Sequence, residues 1–409
     1  MEEAQRQPPK RQRGIVQSVE DVQRLRLIKR AHQLFGQLHD AGVERDKAGN
    51  RTLLYSHYAS LVLLSMFNPA MQSLRGLEQA SKLKKVQQKL GMGKTSLGSL
   101  SESCRVFDPQ LLAPILAQLL QELPAHHPGP GPRRSISPSI PQELAEKLRV
   151  VDGSTLRVLP QIVQSVAKGS WKMHLQFRPL AGLPSTVTLA PEYDVDERDV
   201  LAQHLEAGCV YMGDLGYERY ALFNQIVAAG SNYLIRGQVN RPAEVVEQRP
   251  LSEAAQAARV ISDEIVVLGS SKASPGVARL DHRVRRIVIK KRPQGRKRSD
   301  RPNQDHIILL TDLVDLPAEV IGALYELRWC IELFFRFLKQ MLGCRRLFST
   351  KQEGIEIQVY CALIACLLLA RVTGKRVTMR DYRLICFYLQ GWADDDELLN
   401  GLKLKEKEP

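Results

Sequence analysis

Three carboxylates of the chain stand where a ligand could reach them. Asp152 follows the apolar residues of a short strand (RVVDGST), and Asp214 ends a second apolar strand between Gly213 and Gly216. Glu332 interrupts an apolar helical stretch, IELFF. Singly, each aspartate is more often an Asx turn or a strand cap. Together, three unpaired carboxylates would repel one another, and a divalent cation such as Mg²⁺, which prefers hard oxygen ligands, would relieve that repulsion.

The stretch that carries Glu332 has the period of an α-helix. It runs from Tyr325 to Gly343 (YELRWCIELFFRFLKQMLG), within a helix predicted to begin at Pro317 and to end at Gly343. Five residues form a polar stripe roughly 80° wide at 100° per residue: Tyr325, Arg328, Glu332, Arg336 and Lys339. A solvated face would be wider. On this helix alone two alternatives remain, a partly exposed i,i+4 ion pair or a carboxylate that faces a buried site.

The elements around these carboxylates alternate between strand and helix. After a linker rich in Pro, Gly and Ser come three strands, a helix, a strand, a helix and another strand. A β-rich basic segment, one more strand and the Glu332 helix follow. This order predicts a mixed α/β sheet and not a run of parallel βαβ units.

The pattern of these residues resembles a known signature. Four residues of the helix follow the spacing Y-x2-R-x3-E-x6-K: Tyr325, Arg328, Glu332 and Lys339. With Asp152 in VVDGST and Asp214 in MGDLGY, they resemble the DDE signature of bacterial insertion-sequence transposases, in particular the insertion sequence four family. The resemblance covers about residues 146–345, including a long, β-rich interval between Asp214 and Glu332.

The resemblance implies an RNase H-like fold in which Asp152, Asp214 and Glu332 hold two Mg²⁺ or Mn²⁺ ions. One ion would activate water or a 3′-OH for in-line attack on a phosphodiester, and the other would stabilise the leaving oxygen. The resemblance also implies that the motif's Tyr, Arg and Lys contact DNA beside the cleavage site and that the core acts within a homodimer. The Arg and Lys can reach the phosphate that Glu332 faces, because they share its stripe.

The charge of the chain agrees with a double-stranded DNA partner. Its 58 Lys and Arg exceed its 44 Asp and Glu, so the net charge is +14. The segment RVRRIVIKKRPQGRKRSDR, residues 283–301, holds ten Lys or Arg against one Asp. We expect it to contact phosphates, although a solvated hairpin is the alternative. Its predicted DNA-binding residues are Arg292, Arg296, Lys297 and Arg298.

The composition along the chain predicts six regions. A helical region (1–124), for which the resemblance implies binding of the DNA ends, precedes the linker (125–145). Two parts of the core (146–240 and 306–345), which the resemblance implies to be RNase H-like, enclose a β-rich basic insertion (241–305). A helical carboxy-terminal region (346–409) completes the chain.

Several other classes of protein are disfavoured. The seven cysteines form no CxxC pair, which indicates reduced thiols in a cytoplasmic protein, nucleoid-associated when bound to DNA. The longest apolar run, from Val359, is about 14 residues, short for a membrane span. GMGKTS at Gly91 lacks the first Gly of a P-loop because position 88 is Gln, so we expect an inter-helix turn and no nucleotide cofactor.

The sequence therefore predicts a transposase that binds the terminal inverted repeats of its element, cleaves the DNA ends and joins them to target DNA. Two alternatives share the fold: a catalytically silent or domesticated DNA-binding relative, and a nuclease without strand transfer. Intact Asp152, Asp214 and Glu332 favour the catalytic readings.

Overall fold

The computed structural model describes most of the chain, and the statements below refer to these residues: 26–38, 51–123, 140–157, 170–191, 195–239, 241–268, 280–291, 305–341, 347–349, 351–374 and 377–402. The four residues predicted to bind DNA in the basic segment lie outside the described residues: Arg292, Arg296, Lys297 and Arg298.

Helices begin and end the chain, and the strands lie between them. The first helices are α1 (Arg26–Phe35), α2 (Tyr55–Phe67), α3 (Leu74–Ser81), α4 (Lys84–Leu90), α5 (Leu97–Val106), α6 (Ala113–Glu122) and α7 (Gln142–Lys147). The middle part contains β1 (Leu148–Arg157), β2 (Ser170–Arg178), β3 (Leu183–Pro191), α8 (Glu197–Ala202), β4 (Val210–Gly213), α9 (Tyr220–Ala228), β5 (Asn232–Gly237), β6 (Ala243–Gln248), α10 (Glu253–Ala257), β7 (Val260–Leu268), β8 (Val284–Lys290) and β9 (His306–Thr311). The last helices are α11 (Ala318–Glu326), α12 (Trp329–Met341), α13 (Gln352–Thr373), α14 (Met379–Leu389) and α15 (Asp395–Leu402).

The chain divides into two compact units. The first combines residues Met1–Pro128 with Lys351–Pro409, and the second is Gly129–Thr350. The two ends of the chain therefore belong to one helical unit, whereas the candidate site residues belong to the other.

Helix α13 is the core of the helical unit. By length and composition it could cross a membrane, but 94% of its most apolar window is buried, as in the central helix of a globular unit. The thiol of Cys361 on α13 lies 3.8 Å from the carbonyl oxygen of Ala59 on α2. Glu122 on α6 forms ion pairs with Arg30 of α1 and Arg371 of α13.

The predicted inter-helix turn is confirmed, since Gly91 ends α4 in the left-handed conformation at φ 61°.

The second unit is built on one nine-stranded mixed sheet of order β3-β2-β1-β4-β5-β9-β8-β7-β6. Strands β1, β4 and β5 are parallel to one another, and the hairpin β2–β3 pairs antiparallel with β1. Beyond β5 every pairing is antiparallel. The strands of the predicted β-rich insertion thus continue the same sheet through β9. The mixed α/β class predicted from the element order is confirmed.

Helices cover both faces of the sheet beside β1. Because side chains alternate along a strand, Val150 and Val151 point to opposite faces. Val151 belongs to the core that α9 fills with Leu222 and Phe223. On the other face Phe177, the cross-strand partner of Val150, packs against Phe334 of α12 with ring centroids 5.1 Å apart. Helix α12 is therefore held against the strands that carry Asp152.

The single helix predicted from Pro317 to Gly343 is wrong, because two helices occupy this stretch. Helix α11 ends at Glu326 and α12 begins at Trp329. In between, the amide of Arg328 donates to the carbonyl oxygen of Tyr325, and the amide of Ile331 donates to that of Arg328. These i→i−3 hydrogen bonds are tighter than those of an α-helix. The apolar periodicity continues through the turn without a Gly or Pro, so the sequence does not reveal it.

Candidate active site

Asp152 and Asp214 lie at the same end of two neighbouring parallel strands. The parallel pairing of β1 with β4 ends at Val150 and Met212. Asp152 is the second residue beyond that pair, and Asp214 directly follows β4. Strand β1 does not end near Asp152 as predicted; it continues to Arg157, paired with β2. Since the carboxyl ends of parallel strands are where ligands bind in open α/β sheets, the two aspartates share a favourable position.

Both aspartate carboxylates accept a hydrogen bond from a nearby backbone amide, and the one of Asp214 forms an Asx turn. The backbone amide of Gly153 donates to Asp152 Oδ1 at 2.8 Å. The amide of Gly216 donates to Asp214 Oδ1 at 2.8 Å, which caps a short 3₁₀ helix. Asp214 therefore has a capping role, whereas Asp152 lies within the continuous strand β1, and each hydrogen bond helps to orient its carboxylate.

Asp214 is close enough to Asp152 to perturb the titration of Asp152. The pKa of Asp152 is raised from 3.8 to about 7, chiefly by burial and next by the negative charge of Asp214. Glu197 adds a smaller repulsion, while the amide of Gly153 and the guanidinium of Arg328 lower the pKa. A partly desolvated carboxylate beside a second one is typical of functional sites.

Arg328 lies between Glu332 and Asp152 and acts on both carboxylates. It lies in the turn between α11 and α12, and its Nη2 donates to Glu332 Oε1 at 2.5 Å. It is also near enough to lower the pKa of Asp152. The i,i+4 ion pair that the sequence left open is thus present. Both side chains are partly buried, with 20% of Arg328 and 30% of Glu332 exposed, so Glu332 is neither fully solvated nor fully enclosed.

Tyr325 faces the same group of charges. The guanidinium of Arg328 lies 5.9 Å from the centroid of the Tyr325 ring. Burial raises the pKa of the phenol to about 12; Arg328 and Arg236 oppose this, and Asp214 adds to it. Tyr325 therefore stays protonated at neutral pH and can donate a hydrogen bond.

Lys339 lies on α12 two turns beyond Glu332 and is half-buried. Residues seven apart on an α-helix return to nearly the same face. The structure thus keeps Lys339 on the side of α12 that carries Glu332, in the last turn, where a cation is favoured.

The donor set of the site fits a hard divalent cation in part. Asp152 and Asp214 offer oxygen atoms of the kind that Mg²⁺ prefers, and a cation would relieve the repulsion between them. Glu332 is held by Arg328 instead. In the part of the chain that the structure describes, no three His, Cys, Asp or Glu side chains are grouped to hold a metal ion. Glu332 would have to leave Arg328 in order to join the aspartates.

One carboxylate near the site was not predicted. Glu197 begins α8, pairs with Lys172 Nζ of β2 at 3.1 Å, and acts on Asp152 electrostatically. With the buried His174 it lines a small pocket behind β1. The sequence reads DERD here, which looks like an ordinary acidic helix start, so no pattern singled out Glu197.

Comparison with known proteins shows the family. A family model described as the transposase DDE domain matches residues 143–368, more than half of the chain. The chain therefore belongs to the DDE transposase family, and the resemblance drawn from the DDE signature is confirmed.

Two relatives carry transposase names. The chain is 30% identical over 210 residues to transposase y4zB of Sinorhizobium fredii, which covers 51% of this chain and 55% of that protein. It is 26% identical over 230 residues to a transposase for insertion sequence element IS5377 of Geobacillus stearothermophilus, covering 54% and 55%. The matches thus span about half the length of each relative.

One solved structure has a weak overall similarity to this chain. The piggyBac transposase synaptic complex with hairpin DNA aligns with 95% of this chain and 80% of that one, at a TM-score of 0.39 and 9% identity. A score this low supports no structural argument about the present site.

Proposed function

We propose that the chain is a DNA transposase that binds the terminal inverted repeats of its element, cleaves the DNA ends and joins them to target DNA. The observation that carries this proposal is the pair of carboxylates at the ends of β1 and β4, with the pKa of Asp152 raised to about 7 beside Asp214. Such a pair suits a divalent cation more than it suits any role in stability, because the unpaired charges destabilise the fold.

The sheet supports an RNase H-like core. Its first five strands have the order β3-β2-β1-β4-β5, a hairpin followed by parallel strands. Asp152 and Asp214 stand on the two central strands of this part, and α12 brings Glu332 to the same unit. This arrangement is what the family resemblance implies, with β6, β7 and β8 as an extension of the sheet.

In the reaction that we propose, Asp152, Asp214 and Glu332 hold two Mg²⁺ or Mn²⁺ ions. The ions would supply an activated nucleophile and neutralise the leaving oxygen in phosphodiester cleavage and strand transfer. The protein's part is to fix the carboxylates through Gly153, Gly216 and the packing of α12.

Arg328 has two successive partners in this scheme. Before DNA and metal bind, it neutralises Glu332 and attenuates the charge of Asp152. Once Glu332 turns to the metal site, the guanidinium can bind a phosphate next to the scissile bond. Tyr325, protonated, donates to the same backbone, and Lys339 adds a cation farther along α12.

Outside the active site, we expect electrostatic attraction to the phosphates to provide most of the DNA binding. The net charge of +14 favours phosphate contact over the whole surface. We assign non-specific DNA contacts to the basic segment that includes Arg292, Arg296, Lys297 and Arg298. The amino-terminal helices would recognise the DNA ends. The active protein would be a homodimer in the cytoplasm.

The experiment uses linear DNA that carries the element's own ends. Purified full-length protein with Mg²⁺ is compared with Glu332→Gln, and nicking at the ends and joining to a plasmid are scored beside a gel-shift measure of binding. We expect the wild type to cut and join, and the variant to bind but not cut. Equal cutting by both would exclude Glu332 from the site, and binding without cutting by either would favour a silent DNA-binding relative.

A further inference from the structure

Glu197 lies in a space that two glycines leave open. A β-carbon on Gly153 would stand 2.6 Å from Glu197 Oε2, far closer than such contacts allow. A β-carbon on Gly216 would stand 3.3 Å from Glu197 Oε1 and 3.1 Å from Asp214 Oδ1. The carboxylate of Glu197 therefore sits between the residue that follows Asp152 and the loop that follows Asp214. Any larger side chain at Gly153 would displace it.

Glu197 acts electrostatically on the same neighbouring side chain, Tyr217, as the two aspartates do. The phenol of Tyr217 is fully buried beside the site, and burial raises its pKa well above the ordinary value. Glu197, Asp152 and Asp214 each raise that pKa further. Three carboxylates from three different elements thus surround one side chain. Lys172 on β2, 3.1 Å from Glu197 Oε2, offsets part of this negative charge.

A buried histidine faces the same space. His174 is only 5% exposed, and neither ring nitrogen has a hydrogen-bond partner among the described residues. Its Nδ1 lies 3.5 Å from the point where a β-carbon on Gly153 would be, and it lines the small pocket together with Glu197. Buried polar atoms without partners are costly, so they point to a polar ligand or its water shell as the missing partner.

We propose that Glu197 is a fourth carboxylate of the divalent-cation site, and that Lys172 is its counter-ion when the cation is absent. This inference rests on the proposed function, which supplies the cation. Mg²⁺ keeps several of its waters in protein sites, and a carboxylate beyond the direct ligands can accept hydrogen bonds from them. Glu197 would also add one negative charge to the two on Asp152 and Asp214.

The alternative is that Glu197 and Lys172 form a purely structural ion pair. The two hypotheses predict opposite changes in Mn²⁺ affinity when Lys172 is replaced. Full-length protein at pH 8 is titrated with Mn²⁺ by calorimetry, without DNA. If Glu197 belongs to the cation site, Glu197→Gln weakens Mn²⁺ binding by roughly 10- to 100-fold, as loss of supporting groups around metal sites does. Lys172→Met removes a competing positive charge and tightens binding. Asp199→Asn, two residues along the same short helix and paired with Arg219, leaves the affinity unchanged.

Two further measurements separate the possible failures. The metal-free melting temperature of each variant shows whether it is folded, and Asp152→Asn reports on the proposed site itself. If Asp152→Asn abolishes Mn²⁺ binding while Glu197→Gln binds like the wild type, the fourth carboxylate is wrong and the proposed function stands. If Glu197→Gln and Lys172→Met both weaken binding equally, the pair is structural. If Asp152→Asn also binds normally, the metal assignment of the proposed function fails too.

Discussion

Arg328 donates to Glu332 across one helical turn and also lowers the pKa of Asp152. One guanidinium therefore touches one carboxylate of the proposed DDE triad and acts on another. In this arrangement Arg328 is the counter-ion of the carboxylates before any cation is bound. The following predictions start from this relationship.

Replacing Arg328 should impair cleavage more than binding. Arg328→Gln removes the fixed cation that we place beside the scissile phosphate, and we expect a loss of about 100-fold in the rate of end cleavage. Affinity for end DNA should fall much less, because many other basic residues contribute to it. Single-turnover cleavage and gel-shift titration measure the two effects. Arg336→Gln is the matched control, since Arg336 is exposed on the same helix; a similar loss in both variants would contradict a specific role.

The raised pKa of Asp152 predicts how metal-free stability depends on pH. The folded protein holds a proton on Asp152 up to about pH 7, whereas the unfolded chain releases it near pH 3.8. Between these values the folded state binds more protons, so its stability falls as the pH rises. Asp152→Asn removes this effect, and in EDTA it should be more stable than the wild type at pH 8, by on the order of a few kcal/mol.

Urea unfolding at pH 4 and pH 8 measures that difference. We expect the two proteins to be nearly equal at pH 4 and to diverge at pH 8. Saturating Mn²⁺ should then stabilise the wild type and leave Asp152→Asn unchanged. A variant that is less stable than the wild type at pH 8 in EDTA would show that Asp152 carries no electrostatic strain.

A buried ion pair holds the segment that leads into α11. Arg285, 2% exposed, pairs with Asp263 at 2.7 Å and donates to the carbonyl oxygen atoms of Leu313 and Leu316. Arg285→Met leaves Asp263 buried without its partner and should reduce the free energy of unfolding by about 3–5 kcal/mol.

Arg286→Met is the control for that prediction. Arg286 is the next residue and pairs with Glu264, but its side chain is more exposed, so a smaller loss is expected. Urea denaturation compares the two. Adding Asp263→Leu to Arg285→Met should restore part of the loss, because no unpaired charge then remains. Equal losses for the two arginine variants would contradict the role of burial.

Much of the site could be predicted from sequence because its signals are local. Asp152 and Asp214 follow apolar strand residues and stand next to glycines, and Glu332 belongs to a motif with fixed spacing. These features can be recognised without the fold, whereas the parallel pairing of β1 with β4, which places both aspartates at one end of the sheet, is visible only in the structure. The family comparison confirms the class of protein that they indicate.

Other features depend on contacts distant in sequence. Glu197 is 45 residues from Asp152, and only the fold of β2, β3 and α8 brings it over Gly153. The turn at Arg328 is hidden because apolar spacing continues through it. Strand β6 (AEVVEQ) is an edge strand, exposed along most of its length, and lacks the apolar alternation that reveals a half-buried strand.

The central claim is that Asp152, Asp214 and Glu332 form one divalent-cation site. A crystal of the full-length protein with Mn²⁺ and end DNA, measured for anomalous scattering, tests it most directly. We expect anomalous peaks between Asp152 and Asp214, with Glu332 turned from Arg328 toward them. Bound Mn²⁺ at another place, with Arg328 and Glu332 still paired and no peak beside the aspartates, would contradict the claim.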